Sequence, residues 1–332
     1  MSRHPTFAQE RAFLSTVIYA SIFEYPLTRE QLHESLIAAR ANLADLTSWY
    51  EQSVNLQAAI EYRDGYFFPR GRGELVELRK GREGTSRTVL DELAKPLALV
   101  LRMPWVRMVA LSGSLAHLNA SREADLDLFV ITKPGRVWSV TTTVLLLARL
   151  CGWRRRLCLN YVISQKQLAV APRDLFSANQ IVHLRPLIGT DVYLRFLEAN
   201  PFVGHYYPNF RPRPEDLERT GSTQPSRLER LLEVTIAPLY EACCRRAYGW
   251  HLRRRASSWH SRDQVQLEAE CLKLHTSSHR HRVMEQFAAA LEEAERISPN
   301  ATSVADGVSG RRHSAIGSWR FTLDAFAESR KL

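Results

Sequence analysis

The chain lacks the features that mark disulfide-rich, fibrous and secreted proteins. Its five cysteines form no Cys-x-x-Cys pair, and an odd number at irregular spacing predicts reduced thiols in a cytoplasmic protein. Fifteen glycines and fifteen prolines among 332 residues are too few for a low-complexity or fibrous chain. The first residues contain no apolar segment followed by a cleavage site, so no secretory signal is expected.

A long apolar run is also missing. The most apolar segment, Val137 to Leu150, contains an arginine and falls short of the ~20 residues that cross a bilayer. It predicts a buried helix, and no membrane span is expected. The composition is that of a soluble globular protein, and 332 residues are more than one compact core usually holds, so two or three domains are expected.

Positive charge, in contrast, is in excess. The chain has 45 lysines and arginines against 35 aspartates and glutamates, a formal net charge of +10. Such a balance favours polyanionic partners such as nucleotides, nucleic acid or an anionic membrane surface. A solvated basic face is the alternative explanation for the arginines that crowd the C-terminal third.

Residues 1–84 predict a winged helix-turn-helix-like domain. Apolar residues recur at helical spacing over 8–23, after a cap at Thr28, and over 43–55. Gln31, three residues after Thr28, completes a capping box. The dipeptide Asp64–Gly65 lies between apolar runs and predicts a hairpin, which would form the wing.

Two roles stay open for this domain: DNA binding through the third helix and the wing, or docking and oligomerisation. The third helix contains no lysine or arginine and two acids, Asp45 and Glu51. Phosphate contacts come chiefly from cations. Nucleic acid is therefore a candidate partner that the sequence does not favour.

Residues 85–210 predict an α/β core with a mixed sheet. A linking helix is expected at 85–101, capped by Thr85 or Ser86. The further elements expected in this core are strands at 106–111, 125–131 and 157–163, a crossover helix at 137–151, and short helices at 174–185 and 192–199.

The remainder predicts a linker and a helical region. Residues 211–226 are rich in Pro, Ser, Thr and Gly and are expected to form the linker. The helical region at 227–297 is expected to contain helices at 227–250, 264–274 and 281–297. Residues 298–332 are expected to form a partly flexible tail.

Two acids and a glycine turn are the candidate residues for binding a metal ion and a phosphate. Asp125 and Asp127 alternate on a strand, so both carboxylates leave the same face, among apolar neighbours. Such a pair is costly unless a cation or solvent compensates it, and Mg²⁺ takes one or two carboxylates plus phosphate and water oxygens. Gly113–Ser114 ends the preceding strand, where a glycine lets the backbone approach a phosphate. A solvated strand end is the alternative for the two acids.

This arrangement resembles a known signature. Gly113–Ser114, a short helix and then Asp125-x-Asp127 between strands resemble the nucleotidyltransferase superfamily with the DNA polymerase beta-type fold. The N-terminal winged-helix-like domain and the strand that contains Asn160–Tyr161 are similar to those of a poorly characterised group of bacterial nucleotidyltransferase-domain proteins. The resemblance covers residues 106–163. It implies a nucleotidyltransferase-like core between an N-terminal winged helix-turn-helix-like domain and a C-terminal helical region.

The resemblance also implies a reaction. Asp125 and Asp127 would hold Mg²⁺ on the phosphates of ATP or another nucleoside triphosphate, and Gly113 and Ser114 would bind an outer phosphate. An acceptor hydroxyl would attack the α-phosphorus and release pyrophosphate. The acceptor itself is not identified by the motif.

Two further side chains are candidates for contacting the triphosphate. His117 lies one turn after the glycine, and Lys133 follows the second strand. A position on the helix surface is the alternative for His117, and an ordinary loop charge is the alternative for Lys133.

The third carboxylate that the family usually has on the next strand is absent. Residues 157–163 contain no acid, and Asn160 is expected at the equivalent position. An amide can accept a hydrogen bond or weakly ligate a metal, but it cannot act as a general base. Three alternatives stay open: Asp174 or Asp191 substitutes, the acceptor brings its own base, or the site binds nucleotide without turnover. A nucleotidyltransferase therefore competes with an inactive nucleotide-sensing or adaptor protein.

Overall fold

The N-terminal unit, residues 4–69, combines four helices with a small sheet. The computed structural model of the protein describes residues 4–218, 225, 227–274 and 279–297, so the predicted tail at 298–332 lies outside the described residues. The elements of the unit are α1 (Phe7–Ile22), β1 (Leu27–Thr28), α2 (Arg29–Glu34), α3 (Leu43–Gln52), α4 (Val54–Ala59), β2 (Ile60–Arg63) and β3 (Tyr66–Pro69). The three strands form an antiparallel sheet in the order β1-β3-β2.

Local signals explain most of this unit. The predicted capping box is confirmed, since the Thr28 hydroxyl accepts from Gln31 N and the Gln31 side chain accepts from Thr28 N. The hairpin at Asp64–Gly65 is confirmed, with both residues at positive φ. The single helix predicted at 43–55 is wrong, because Ser53 leaves the helical conformation and its hydroxyl caps α4.

Two helices connect the N-terminal unit to the core: α5 (Glu74–Glu92) and α6 (Ala94–Leu101). The predicted start at Thr85 or Ser86 is wrong, since Ser86 lies inside α5. Its hydroxyl donates to Arg82 O at 2.7 Å and accepts from Ala120 N at 2.9 Å. The expected boundary between residues 84 and 85 therefore falls within a helix, and the division into domains stays a prediction.

The core is an α/β structure with a mixed sheet, as predicted. Its elements up to residue 218 are β4 (Val106–Leu111), α7 (Gly113–Ala116), β5 (Leu126–Thr132), α8 (Val137–Leu150), β6 (Leu157–Ser164), α9 (Leu175–Val182), β7 (Arg185–Ile188), α10 (Thr190–Glu198), α11 (Val203–Tyr206) and α12 (Pro214–Glu218). Strand β5 is antiparallel to β4 and parallel to β6. Strand β7 was not expected, because the sequence predicts helices at 174–185 and 192–199 and no strand between them; β7 pairs with the free edge of β4.

The C-terminal region contributes to the same sheet. It contains α13 (Arg227–Thr235), α14 (Ala237–Arg254), β8 (Val265–Leu267), β9 (Cys271–Leu274) and α15 (Arg280–Ile297). The helix predicted at 264–274 is wrong: β9 pairs with β6 and β8 pairs with β9, giving the strand order β7-β4-β5-β6-β9-β8. The helix predicted at 227–250 is interrupted at Ile236, before Pro238 in the first turn of α14. Among the described residues, no helix is long and apolar enough to cross a membrane.

Side chains alternate between two buried layers along the central strands. Leu126, Leu128 and Val130 of β5 pack into one layer with α8 and α14, whereas Phe129 and Ile131 pack into the other with α9 and α10. This alternation assigns Asp127 to the side of Phe129 and Ile131. The acid therefore lies where β5 begins, beside the helices that follow β6.

Three glutamates attach the helices α13 and α14 to the core. Glu229 forms a buried ion pair with Arg107 and accepts from Trp105 N at 3.1 Å. Glu233 pairs with Lys133 at 2.9 Å and with Arg136 at 2.7 Å. Glu241 accepts from the first backbone N–H groups of α8 at Trp138 and Ser139. Because these contacts are buried or charge-assisted, they hold both helices against the core.

Helix α15 reaches from the core back to the N-terminal unit. At its start, Arg280 pairs with Asp174, with Nε 2.8 Å from Oδ2. Farther along, Phe287 meets Tyr19 of α1 edge to face at 5.1 Å, and Glu295 accepts from Arg11 at 2.8 Å. The two ends of the described chain thus pack on each other.

Replacing Gly189 is expected to destabilise the protein by about 3 kcal/mol or more. Gly189 has φ +80° between β7 and α10, and a Cβ there would lie well inside van der Waals distance of the Arg107 carbonyl oxygen. Urea unfolding of Gly189→Ala measures the loss. The matched control is Gly204→Ala in α11, where a Cβ meets nothing within 4 Å. Equal stability of the two variants would contradict this explanation.

Candidate active site

The turn after β4 brings its backbone against an acid of β5. The antiparallel pairing continues past Leu111, with Ser112 N donating to Asp127 O at 3.0 Å. Gly113 follows with φ +64°, and a Cβ on it would lie 2.6 Å from Asp127 Oδ2. Only glycine allows the turn and the carboxylate to approach so closely. The two parts of the predicted motif are therefore in contact.

The surroundings of the two acids disfavour the charge of Asp127. Asp125 and Asp127 are both half-buried, and a leucine on the opposite face separates them along the chain. Burial raises the pKa of Asp127 to about 6, and the Asp125 carboxylate adds to the rise. The folded protein therefore carries an electrostatic cost at this site that a cation would relieve.

Cys158 of β6 faces the acids, and the role predicted for Asn160 on the same strand stays a prediction. Cys158 pairs with Asp127 across β5 and β6, and its Sγ lies 3.7 Å from Asp125 Oδ2. The register then shifts, so that Phe129 pairs with Tyr161. Sequence reasoning missed this irregularity because it assumed an unbroken strand. Asn160 lies in β6, and its side chain is outside what the structure describes.

Cys158 remains a thiol in this setting. Burial raises its pKa to about 12, and the charges of Asp127 and Asp125 act in the same direction. A neutral thiol is a weak hydrogen-bond donor and a poor base at neutral pH. The strand next to the acids therefore supplies no carboxylate from this position.

Neither acid that was considered as a substitute joins the pair. Asp174 caps α9 through Ser177 N and forms the ion pair with Arg280. Asp191 is exposed on α10 and pairs with Arg195 at 3.0 Å. Within the described ranges, no three His, Cys, Asp or Glu side chains are grouped to hold a metal ion. Two carboxylates are thus the protein donors that the described site offers.

Two cavities meet at the glycine turn. The first, which we call the carboxylate cavity, has a volume of about 440 Å³ and is lined by Asp127, Phe129, Tyr161 and Lys273 among others. The second, the inter-unit cavity, has about 420 Å³ and lies between the N-terminal unit and the core. Gly113 and Gln180 line both of them.

Two of the predicted phosphate ligands lie in the inter-unit cavity. Ser114 and His117 line it, and the His117 ring lies 4.1 Å from that of His183 and 5.6 Å from Tyr25. Burial lowers the pKa of His117 to about 4, helped by the charges of Arg213 and Arg79. His117 is therefore a neutral ring at physiological pH.

Lys133 does not reach the site, and its prediction as a triphosphate ligand is wrong. It follows the last residue of β5, whereas Asp125 and Asp127 lie where this strand begins. Seven strand residues separate the two ends by roughly 20 Å. The ammonium instead pairs with Glu233 of α13.

Lys273 is the cation that sequence reasoning missed. It lies on β9, with Nζ donating to Ala171 O at 3.1 Å and lying 5.3 Å from the Tyr161 ring centroid. Within the described ranges no carboxylate forms an ion pair with it, and burial lowers its pKa. Its position depends on the long-range pairing of β9 with β6, and the prediction of a helix at 264–274 concealed it.

Comparisons of the chain with protein-family models, with curated proteins and with solved structures found no match. Membership of the nucleotidyltransferase superfamily therefore stays a prediction from the sequence. The acids, the glycine turn and the two cavities are the features that bear on the function.

Asp127→Asn is expected to stabilise the metal-free protein by roughly 1–2 kcal/mol at neutral pH. The pKa of Asp127 is higher in the folded state than in the unfolded state. As the pH rises above the unfolded-state pKa, ionisation of Asp127 therefore lowers the free energy of unfolding. The advantage of the variant should grow from about pH 4 to about pH 6 and then level off. Urea unfolding in EDTA across this range measures it. A variant that is less stable throughout would contradict the assignment.

Proposed function

We propose that the protein binds a nucleoside triphosphate with Mg²⁺ and transfers the nucleoside monophosphate to a hydroxyl-bearing acceptor. The observation that carries the proposal is the contact of the Asp127 carboxylate with the Gly113 turn, beside Asp125. The connectivity β4-α7-β5-α8-β6, with β5 antiparallel to β4 and parallel to β6, supports a nucleotidyltransferase-like core. The helices and hairpin of residues 4–69 support a winged-helix-like unit before it.

The acids fit a magnesium ion as part of a shared coordination sphere. Mg²⁺ usually takes one or two protein carboxylates and completes its shell with phosphate and water oxygens. Burial and the neighbouring Asp125 carboxylate raise the pKa of Asp127, so a cation bound by the two acids would offset the cost of ionising it. When bound, the ion would neutralise phosphate charge and increase the electrophilicity of the α-phosphorus.

Other residues of the carboxylate cavity suit the rest of the nucleotide. Gly113 lines this cavity, where its backbone N–H can face a phosphate, while Ser114, the next residue, lines the inter-unit cavity. Lys273 offers a partly desolvated ammonium that forms no direct ion pair with a described carboxylate, although the charges of Asp174 and Asp263 act on it. Phe129 and Tyr161 provide aromatic surface on the same wall for the base.

The reaction is a displacement at phosphorus. The acceptor oxygen bonds to the α-phosphorus, and the bond from that phosphorus to the bridging β-oxygen breaks. Pyrophosphate leaves with the electron pair, and the hydroxyl proton passes to solvent. Asp125, Asp127 and Lys273 would lower the barrier by positioning and charge stabilisation, which dominate catalysis of phosphoryl transfer.

A nucleotide sensor without turnover is the second candidate. Cys158 favours it, because a thiol with a pKa of about 12 faces the acids at the position where a third carboxylate would be useful. Pyrophosphate release measured with several triphosphates and acceptors discriminates the two. Release that depends on Asp125 would eliminate the sensor.

DNA binding is not proposed for the N-terminal unit. Helix α3 contains Asp45 and Glu51 and no cation. Arg70 of the segment after the hairpin donates to the carbonyls of Gln57 and Ala58, and Arg72 pairs with Glu74. These basic groups are thus engaged within the protein, which weakens the case for a phosphate-binding surface.

The double variant Asp125→Ala, Asp127→Ala is expected to bind Mg-ATP at least tenfold more weakly, about 1.4 kcal/mol. Both carboxylates that would hold the ion are then missing. Isothermal titration calorimetry with a non-hydrolysable ATP analogue and Mg²⁺ measures the change. The control is Asp191→Ala, which removes an exposed acid paired with Arg195. Unchanged binding in the double variant would refute the proposed site.

A further inference from the structure

The inter-unit cavity is built by both halves of the molecule. Thr16 and Ala20 of α1 and Tyr25 after it form one wall, and α9 with Asn179, Gln180 and His183 forms another. Its volume of about 420 Å³ is in the range of small-molecule sites. At Gly113 it adjoins the carboxylate cavity.

The wall of this cavity carries little uncompensated charge. Arg82 is the one permanently charged side chain among the described lining residues, and it pairs with Glu24 at 2.6 Å. Burial holds the pKa of both His117 and His183 below the ordinary histidine value, and the charge of Arg213, which pairs with Glu34 at 3.1 Å, acts in the same direction. Arg79, which also acts on His117, lies over the Tyr25 ring. The carboxylate cavity, in contrast, contains Asp127 and Lys273. The two cavities therefore differ in the charge of the molecule that each suits.

Neutral hydrogen-bonding groups line the inter-unit cavity, and most of them lack a partner among the described residues. Asn179 is 7% exposed; its Oδ1 accepts from Tyr207 Oη at 3.2 Å, while its Nδ2 donates to no described residue. The Gln180 amide and the rings of His117 and His183 likewise form no hydrogen bond with another described residue. Each neutral imidazole offers one donor and one acceptor. Such a mixed set of donors and acceptors matches hydroxyl groups, which also donate and accept.

Aromatic surface completes the cavity. The rings of Phe23, Tyr25 and Tyr207 line it beside these polar groups. Apolar walls with a few convergent polar groups are typical of sites for small organic ligands. A ring that carries several hydroxyl groups presents C–H faces to the aromatic surface and hydroxyls to the amides and imidazoles.

We propose that the inter-unit cavity is the acceptor site and binds an uncharged, polyhydroxylated small molecule of the size of a sugar. The assignment rests on the proposed function, because it is the shared wall at Gly113 that sets an acceptor hydroxyl beside the nucleotide. It gives the N-terminal unit a role in forming the substrate site. The contacts of α15 with α1 and with Asp174 would then hold the N-terminal unit in position against the core.

The test uses the full chain and defined probes. Saturation-transfer NMR measures binding of D-ribose, D-glucose and myo-inositol, and of a monophosphate of each. Ala20→Leu fills the cavity from α1, and His183→Phe keeps a ring but removes its hydrogen bonds. The matched controls are Ala8→Leu on the exposed part of α1 and His205→Phe on α11, which is also exposed. Thermal unfolding checks that each variant is folded.

At least one uncharged probe is expected to bind, with at least tenfold weaker binding in Ala20→Leu and His183→Phe and no change in the controls. A preference for the monophosphates, no binding of any uncharged probe, or binding that survives both variants would overturn the assignment.

Calorimetry with Mg-ATP on the same samples separates this proposal from the proposed function. Nucleotide binding that persists in Ala20→Leu, while the uncharged probe is lost, supports two distinct sites. Uncharged probes that bind a wild-type protein with no affinity for Mg-ATP support the cavity as a ligand site but overturn its role beside a nucleotide. Mg-ATP binding without any uncharged probe overturns the cavity assignment and leaves the proposed function intact.

Discussion

The close approach of the Gly113 backbone to the Asp127 carboxylate is the constraint on which the site depends. It follows from the antiparallel pairing of β4 with β5, which continues as the hydrogen bond from Ser112 N to Asp127 O. A side chain at residue 113 would push the carboxylate away. The glycine turn and the acid pair are thereby held together by main-chain geometry, and flexible side-chain contacts are not needed for it.

The rest of the fold surrounds this contact. The central strands contain the turn and the acids, and Lys273 of β9 lines the carboxylate cavity together with Asp127. On the other side of Gly113, the N-terminal unit and α9 enclose the inter-unit cavity. Helix α15 joins both regions through Arg280 and Phe287. The N-terminal unit and the C-terminal strand β9 thus line two different cavities that share Gly113, and this arrangement suits a reaction between two bound molecules.

Short-range sequence patterns predicted the central strands of the sheet, whereas the outer strands depend on pairing between distant parts of the chain. The strands β4, β5 and β6, the helix α8, the capping box at Thr28 and the Asp64–Gly65 hairpin all follow from short-range hydrophobic and turn signals. Strands β7 and β9 do not, because each is short and pairs with an edge of the sheet that is distant in sequence; β8 then pairs with β9. The error about Lys133 has a similar origin, because Lys133 is near Asp127 in sequence but lies at the far end of the strand. Cys158 was not singled out, because its pairing with Asp127 adjoins a shift in the register of β5 and β6.

The central claim is that Asp125 and Asp127 hold the metal of a bound nucleotide against the Gly113 turn. A crystal structure of the full chain with Mn²⁺ in place of Mg²⁺ and a non-hydrolysable ATP analogue tests it most directly, because the anomalous signal of Mn²⁺ locates the ion. The account predicts an anomalous peak coordinated by both carboxylates, with phosphate oxygens of the analogue facing the backbone of Gly113 and Ser114. A nucleotide bound elsewhere, or a metal ion that neither acid contacts, would contradict it.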